Sequence, residues 1–353
     1  RSTTDDFIVD SIDASGGSND GALVLSNLGR SQYGELQLVA IYDNPRIGTW
    51  NAAYVWSKAQ GDLNSIDNFL GDFPAFVPGT PPFVAGGNTA AEQAQQIGMH
   101  HDGMHFFPLE GSSTEGLLAV NHEYIDEKAL HPNGPTLVNG KRPAEEVRKE
   151  INAHGVAIIH IRRSNGRWDI VQNSRYNRRF TSATAMKLAG PIGGTDWVKT
   201  PFSPNGTQVR GTNNNCGNGT TPWGTYITAE ENWAACFVNT GNRPPHQQRV
   251  GVSAGPVGRY QWETAAKDPS EVLGEFARFN VTETGASATE DWRNEVNGFG
   301  YLVEIDPYDP DFTPRKHTAQ GRMKHEGATT TLTKRNRVAV YTGDDEIFGG
   351  DEF

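Results

Sequence analysis

The sequence has few cysteines, no cluster of basic residues and no long apolar run. Its 353 residues include only Cys216 and Cys236, which excludes a disulfide framework but leaves a single bridge open. The formal net charge of −11 argues against nucleic acid as a partner and favours the attraction of hard cations. No apolar stretch approaches the roughly 20 residues of a membrane span. The composition therefore predicts neither a nucleic-acid partner nor a membrane span.

The abundance of turn-forming residues indicates the fold class. Forty glycines and twenty prolines predict many short strands joined by turns. One plan recurs, a short apolar strand followed by a carboxylate-bearing turn, in GLLAVNHEY (116–124), GTYITAEENW (224–233), GYLVEIDPYDP (300–310) and NRVAVYTGDDE (336–346). Radially repeated strands of this kind favour an all-β fold, a β-propeller, with short helical insertions at 89–98 and 142–155. No domain boundary is evident, so we expect one domain over 1–353.

Cys216 stands in an unusual place for a cysteine. Asparagines and glycines surround it in the stretch NNNCGNG, where burial as a small hydrophobe is unexpected. A disulfide bridge, a reactive thiol and a metal ligand stay open as interpretations. Cys236, between NWAA and Phe237, is predicted to be a small buried hydrophobe.

Carboxylates gather after the predicted strands. Adjacent acids repel one another unless they are solvated or share cations, and oxygen-ligand sites for Ca²⁺ or Fe³⁺ draw carboxylates from several loops. One soft thiolate among them would favour a transition metal. The pattern thus predicts a metal site, to which we assign the segments His122-Glu123, Glu230-Glu231, His325-Glu326 and Asp344-Asp345-Glu346.

A histidine-rich stretch, GMHHDGMHFF, spans residues 98–107. Strand alternation would place His101, Gly103 and His105 on one face. Without a second ligand motif a zinc site is disfavoured, and we expect strand packing with one histidine orienting a ligand or substrate.

In their order along the chain, GMHHDGMHFFPL, GLLAVNHEY, NNNCGNGTTPWGTYITAEENW, GFGYLVEIDPYDP and KHEGA…VAVYTGDDE resemble the PhoX family of bacterial alkaline phosphatases. The resemblance spans roughly residues 98 to 346. It implies a β-propeller, six-bladed in the family, with iron and calcium ions at its mouth, and export through the twin-arginine route to the periplasm or the outside of the cell. It also implies hydrolysis of small phosphate monoesters at alkaline pH.

The resemblance implies roles for individual residues. Motif matching assigns Cys216 as an iron ligand and Glu123, Glu230, Glu326 and the Asp344-Asp345 pair as carboxylates near Fe³⁺ and Ca²⁺. We assign catalytic roles to His101 and Glu123. Family members continue well past the GDDE motif, so either the chain is partial or the closing blades are absent, and we expect an incomplete propeller.

Two other functions fit the acidic loops. A calcium-binding propeller could serve as a surface or binding module, and a lactonase-like hydrolase could use Ca²⁺ at a propeller mouth. Cys216 distinguishes both from an iron-dependent phosphatase, because a calcium-only site has no use for a thiolate.

Overall fold

The computed structural model describes residues 75–346 and, for the backbone, two earlier strands. The chain divides into two compact units, Arg1–Asp72 and Phe73–Phe353. In the first unit, β1 (Ser31–Asn44) and β2 (Gly48–Gly61) form an antiparallel two-stranded sheet in which Ser31 lies opposite Gly61. A single domain over 1–353 stays a prediction. The motifs that carry the chemistry all fall in the second unit.

The second unit is built mainly from strands, which confirms the prediction of a mostly β protein. One sheet has the order β3-β4-β5-β6, with β7 paired to β5, and a six-stranded sheet has the order β10-β11-β12-β13-β8-β9. A hairpin of β14 and β15 is separate from both. The strands are β3 (His101–Pro108), β4 (Glu115–His122), β5 (Gly155–Ser164), β6 (Arg167–Ile170), β7 (Arg178–Phe180), β8 (Ala185–Ala189), β9 (Gln208–Arg210), β10 (Asn215–Thr220), β11 (Tyr226–Glu230), β12 (Leu302–Ile305), β13 (Arg315–His317), β14 (Thr329–Leu332) and β15 (Val338–Tyr341).

The helices in the described part of the chain are short. They are α1 (Ala90–Gln93), α2 (Glu127–Leu130), α3 (Ala144–Ala153) and α4 (Pro245–Gln248). α3 confirms the helix predicted over 142–155. α1 begins at the Thr89 capping box but ends earlier than predicted, because Gln96 pairs with Ala75 in an isolated bridge. No helix among the described residues has the length and apolar character needed to cross a bilayer.

Each predicted strand that precedes a carboxylate turn is present, as β4, β11, β12 and β15. β4 and β11 each lie between two neighbouring strands, and all five residues of β11 are buried. Their apolar side chains fill two clusters of the core, one around Val120, Ala157 and Ile159 and the other around Ile227, Ala229 and Leu302. Burial of apolar side chains is the main favourable contribution to folding, and these clusters anchor both strands in the core. The polar ends of both strands are thereby fixed in place.

Candidate metal centre

Two β-bulges face the same point. On β3 the pairing with β4 shifts by one residue between His101 and Met104, and on β10 the pairing with β11 shifts between Asn215 and Asn218. A bulge inserts an extra residue and redirects the side chains within it. As a result, Asp102 and Cys216 meet, and the Cys216 Sγ donates to the Asp102 Oδ2 over 3.3 Å.

Glycines allow these bulges to approach one another and a third segment. A Cβ on Gly103 would lie 2.8 Å from the backbone nitrogen of Asn218. A Cβ on Gly217 would lie 2.4 Å from the carbonyl oxygen of Glu326, to which the Gly217 amide donates over 2.7 Å. Contacts this close exclude any side chain at either position. The glycines beside Cys216 therefore serve to bring Glu326 and the thiol together.

Cys216 lies at the centre of a set of carboxylates that we call the Cys216 cluster. The thiol forms one group with Asp102 and Glu123 and another with Glu231 and Glu326, and in each group the ligand atoms lie within 4.8 Å of one another. Cys216 Sγ is 3.7 Å from Glu326 Oε1. The carboxyl group of Asp345 contacts that of Glu231 and completes the set. The cluster thus comprises Asp102, Glu123, Cys216, Glu231, Glu326 and Asp345.

Asparagine side chains hold the loops of the cluster in register. Asn214 has a left-handed backbone with φ of 48°, which asparagine tolerates well. Its Nδ2 donates to the carbonyl oxygen of Glu123 over 3.1 Å, and its own carbonyl oxygen accepts from the Glu231 amide over 3.0 Å. From β4, Asn121 Nδ2 donates to the carbonyl oxygens of Cys216 and Gly217. These bonds connect the strand ends that carry the cluster.

The cluster concentrates negative charge in a partly desolvated place. Burial, together with contact with Glu231, raises the pKa of Glu123 to about 9. The pKa of Glu231 is also raised, chiefly by burial. Burial and the neighbouring carboxylates hold the pKa of the Cys216 thiol far above its ordinary value. Such shifts mean that burial first, and repulsion between neighbouring carboxylates second, disfavour the ionised forms here.

The donor set suits metal ions. Within the described residues, none of the carboxylates in the cluster forms an ion pair with Lys, Arg or His, and neither candidate group contains a histidine. A bound cation would supply the missing positive charge and hold the thiol as thiolate. A thiolate sulfur with carboxylate oxygens fits a transition metal, whereas carboxylates alone fit Ca²⁺. The residues present therefore fit a site that combines a transition metal with Ca²⁺.

Glu230 does not join the cluster, contrary to the sequence expectation. Successive residues of a strand point to opposite faces, so Glu230 and Glu231 cannot both face the thiol. Glu230 is fully buried, and its Oε1 accepts from Lys316 Nζ over 2.7 Å. Its Oε2 accepts from the amides of Gly300 and Tyr301 over 2.9 and 3.1 Å. The side chain that reaches the cluster from this pair is that of Glu231.

Lys316→Met is expected to destabilise the protein by about 3–5 kcal/mol, because it leaves Glu230 buried without a counter-charge. The free energy of unfolding, measured by urea titration, gives the result. Lys199→Met is the matched control, since the Lys199 pair with Asp196 is solvent-exposed and worth at most about 1 kcal/mol. Equal stabilities for the two variants would contradict the importance of the buried pair.

The structure places the other predicted site residues near the cluster. His101 directly precedes Asp102, and its Nε2 lies 3.1 Å from the carbonyl oxygen of Gly98, with its ring 5.0 Å from that of His122. The bulge breaks the alternation predicted for His101, Gly103 and His105. Asp344 Oδ1 accepts from the Lys324 amide over 3.1 Å. Of the Asp344-Asp345 pair, Asp345 is the one whose carboxyl group contacts Glu231.

Both cysteines are unpaired. Cys236 is 2% exposed, which confirms its prediction as a small buried hydrophobe, and its Sγ lies 3.6 Å from Asn214 Oδ1. A disulfide bridge between Cys216 and Cys236 is therefore excluded as the explanation of the NNNCGNG loop.

Comparisons with known proteins agree with the motifs. The sequence model of a family described as "Alkaline phosphatase PhoX" matches residues 71–350. No curated protein matches the chain significantly. The match covers every strand from β3 to β15 and every member of the Cys216 cluster.

The chain is similar to a solved structure of Pseudomonas fluorescens PhoX in complex with vanadate, described as a transition state analogue. It is 39% identical to this chain, with a TM-score of 0.68. The alignment covers 78% of this chain and 44% of the Pseudomonas protein. The chain thus spans less than half the length of the solved relative.

Proposed function

We propose that this chain, which belongs to the PhoX family of alkaline phosphatases, hydrolyses small phosphate monoesters at alkaline pH with metal ions held in the Cys216 cluster. The convergence of a thiol and five carboxylates from distant parts of the sequence carries the proposal. The vanadate bound to the Pseudomonas relative supports phosphoryl transfer as the type of reaction. The chain spans only part of the Pseudomonas protein. The phosphatase activity of that relative is therefore proposed, and not stated, for the protein to which this chain belongs.

We propose Fe³⁺ and Ca²⁺ as the ions. Cys216 would hold iron, since a thiolate is a ligand for a transition metal and not for calcium. Asp102 and Glu326, at 3.3 and 3.7 Å from the thiol sulfur, would share that ion, while Glu231 and Asp345 would contribute to calcium sites. When bound, the ions would supply the positive charge that offsets the phosphoryl oxygens.

Side chains of the protein would hold the metal-binding loops in place, transfer protons and orient the substrate. Asn214 and Asn121 hold the backbone on both sides of the thiol, so the donor atoms are placed before substrate arrives. We propose that Glu123 exchanges a proton with the leaving group or the attacking water, because its carboxyl group lies within the same group of ligand atoms as the thiol and Asp102. His101, next to Asp102, would orient the substrate from the β3 side.

A propeller is our proposal for the architecture. The cluster receives residues from the ends of β4 and β11 in different sheets and from the turn after β15. Strand ends that converge on one polar mouth are expected of radially arranged blades. A periplasmic or extracellular location is likewise proposed from family membership.

The proposed activity is tested with an aryl phosphate monoester at alkaline pH. We expect turnover by the metal-replete full-length protein, loss of turnover with a chelator, and recovery when iron and calcium are both restored. Calcium alone should not restore it, because the thiol would lack its ion.

Two outcomes would support the other functions. No turnover by full-length, metal-replete protein would contradict the phosphatase proposal and favour a calcium-binding module. Turnover of a lactone with calcium alone would favour the lactonase-like hydrolase.

A further inference from the structure

Arg259 contacts Tyr124, the residue that follows Glu123 of the Cys216 cluster. Its side chain is exposed, and within the described residues no Asp or Glu forms an ion pair with it. Its Cζ lies 5.2 Å from the ring centroid of Tyr124, whose hydroxyl also interacts with the guanidinium. Tyr124 directly follows Glu123. Burial raises the pKa of its hydroxyl, and the charges of Glu123 and Glu231 raise it further.

The backbone around Arg259 is fixed to the segment that follows Glu231. The Arg259 amide donates to the carbonyl oxygen of Ala235 over 2.8 Å. Gly258 packs so closely that a Cβ there would lie 2.8 Å from the carbonyl oxygen of Cys236. Arg259 is therefore held between the end of β4 and the segment after β11, the two strands that supply Glu123 and Glu231.

This placement leaves the guanidinium available to an incoming anion. Among the described residues no carboxylate pairs with the Arg259 guanidinium, which instead contacts the ring and the hydroxyl of Tyr124. Guanidinium donors match the oxygens of a phosphoryl group in a bidentate fork. We infer that Arg259 binds the phosphoryl oxygens of the substrate, an inference that rests on the proposed phosphatase function.

Arg259→Gln tests the inference through binding of inorganic phosphate, used as a competitive inhibitor, and through the KM for an aryl phosphate. Loss of a charged hydrogen bond to an anion is expected to raise both constants about tenfold to a hundredfold. Arg259→Lys keeps the positive charge but loses the bidentate geometry of the guanidinium. Its inhibition constant for phosphate and its KM should therefore lie between those of the wild type and Arg259→Gln. Metal content should be unchanged, because Arg259 is not a ligand.

Arg175→Gln is the matched control. Arg175 is also exposed and lies over a tyrosine ring, 5.8 Å from the centroid of Tyr176, which contacts His160 away from the cluster. If Arg259 only packs on its tyrosine, the two glutamine variants should show equal inhibition by phosphate, and the inference would be overturned. An inactive wild-type protein would instead overturn the proposed function.

A second measurement uses the unmodified protein. Phenylglyoxal labels accessible arginines, and mass spectrometry of the peptides measures the label at each position. Inorganic phosphate should protect Arg259 several-fold and leave Arg175 unprotected. Equal labelling of Arg259 with and without phosphate would overturn the inference even if Arg259→Gln failed to fold.

Discussion

Cys216→Ser is expected to remove iron from the protein and to lower phosphatase activity by on the order of a hundredfold or more. The thiol lies within reach of Asp102, Glu123, Glu231 and Glu326, so it is the donor common to both candidate groups. A serine hydroxyl has similar shape but is a poor ligand for a soft site. The fold should be retained, because the substitution exchanges one small atom and keeps the backbone bonds of the loop.

Metal content, visible absorption and circular dichroism together check this result. The thiolate-to-iron absorption should disappear in Cys216→Ser while the far-ultraviolet spectrum stays unchanged. Cys236→Ser is the matched control, since Cys236 is equally unpaired and belongs to neither candidate metal group among the described residues. This control should keep both iron and absorption.

The contrary outcome is clear. If Cys216→Ser retains full iron content and activity, the thiol is no ligand. The carboxylates would then bind cations without the thiol. That result would favour the calcium-binding module or the lactonase-like calcium hydrolase over the iron-dependent phosphatase.

The strands could be read from the sequence because each is an apolar run bounded by turn residues. The sequence predicts β4, β11, β12 and β15 from such runs, and it predicts α3 from Pro143 near the start of the helix and Gly155 at its end. The carboxylates after the strands could also be predicted as a group. Local patterns are sufficient for these features, since strand ends on one side of a fold tend to converge.

The choice within each acidic pair could not be predicted. Whether Glu230 or Glu231 faces the thiol depends on which face of β11 is turned to the core, and a shift of one residue exchanges the two. Lys316, the partner of Glu230, is more than eighty positions away in the sequence. No local pattern around Glu230 in the sequence predicts its ion pair with Lys316.

Asp102 was missed for a related reason. The prediction assumed regular alternation along β3, and the bulge after His101 breaks it. The signal that could have revealed it is the glycine at position 103 within a strand, because an isolated glycine in a strand often marks a bulge or a close backbone approach. The same reasoning applies to Gly217, next to Cys216.

Stability of the protein should depend on pH differently with and without metal. After the metals are removed by a chelator, the folded state holds a proton on Glu123 up to about pH 9, while the ordinary pKa of the group is 4.5. Between those values the folded state binds more protons than the unfolded state. Stability must therefore fall as the pH rises, by up to about 1.4 kcal/mol per pH unit.

Thermal unfolding between pH 6 and pH 8 measures this effect. In metal-free protein the midpoint should drop by roughly 5 °C or more over that range. In metal-loaded protein the drop should vanish or reverse, because cations hold the carboxylates ionised and bind more tightly as protons leave. Glu123→Gln isolates the responsible group, since a neutral amide of the same size cannot titrate. The metal-free variant should lose most of the slope, and a slope as steep as that of the metal-free wild type would show that Glu123 is not the group that retains the proton.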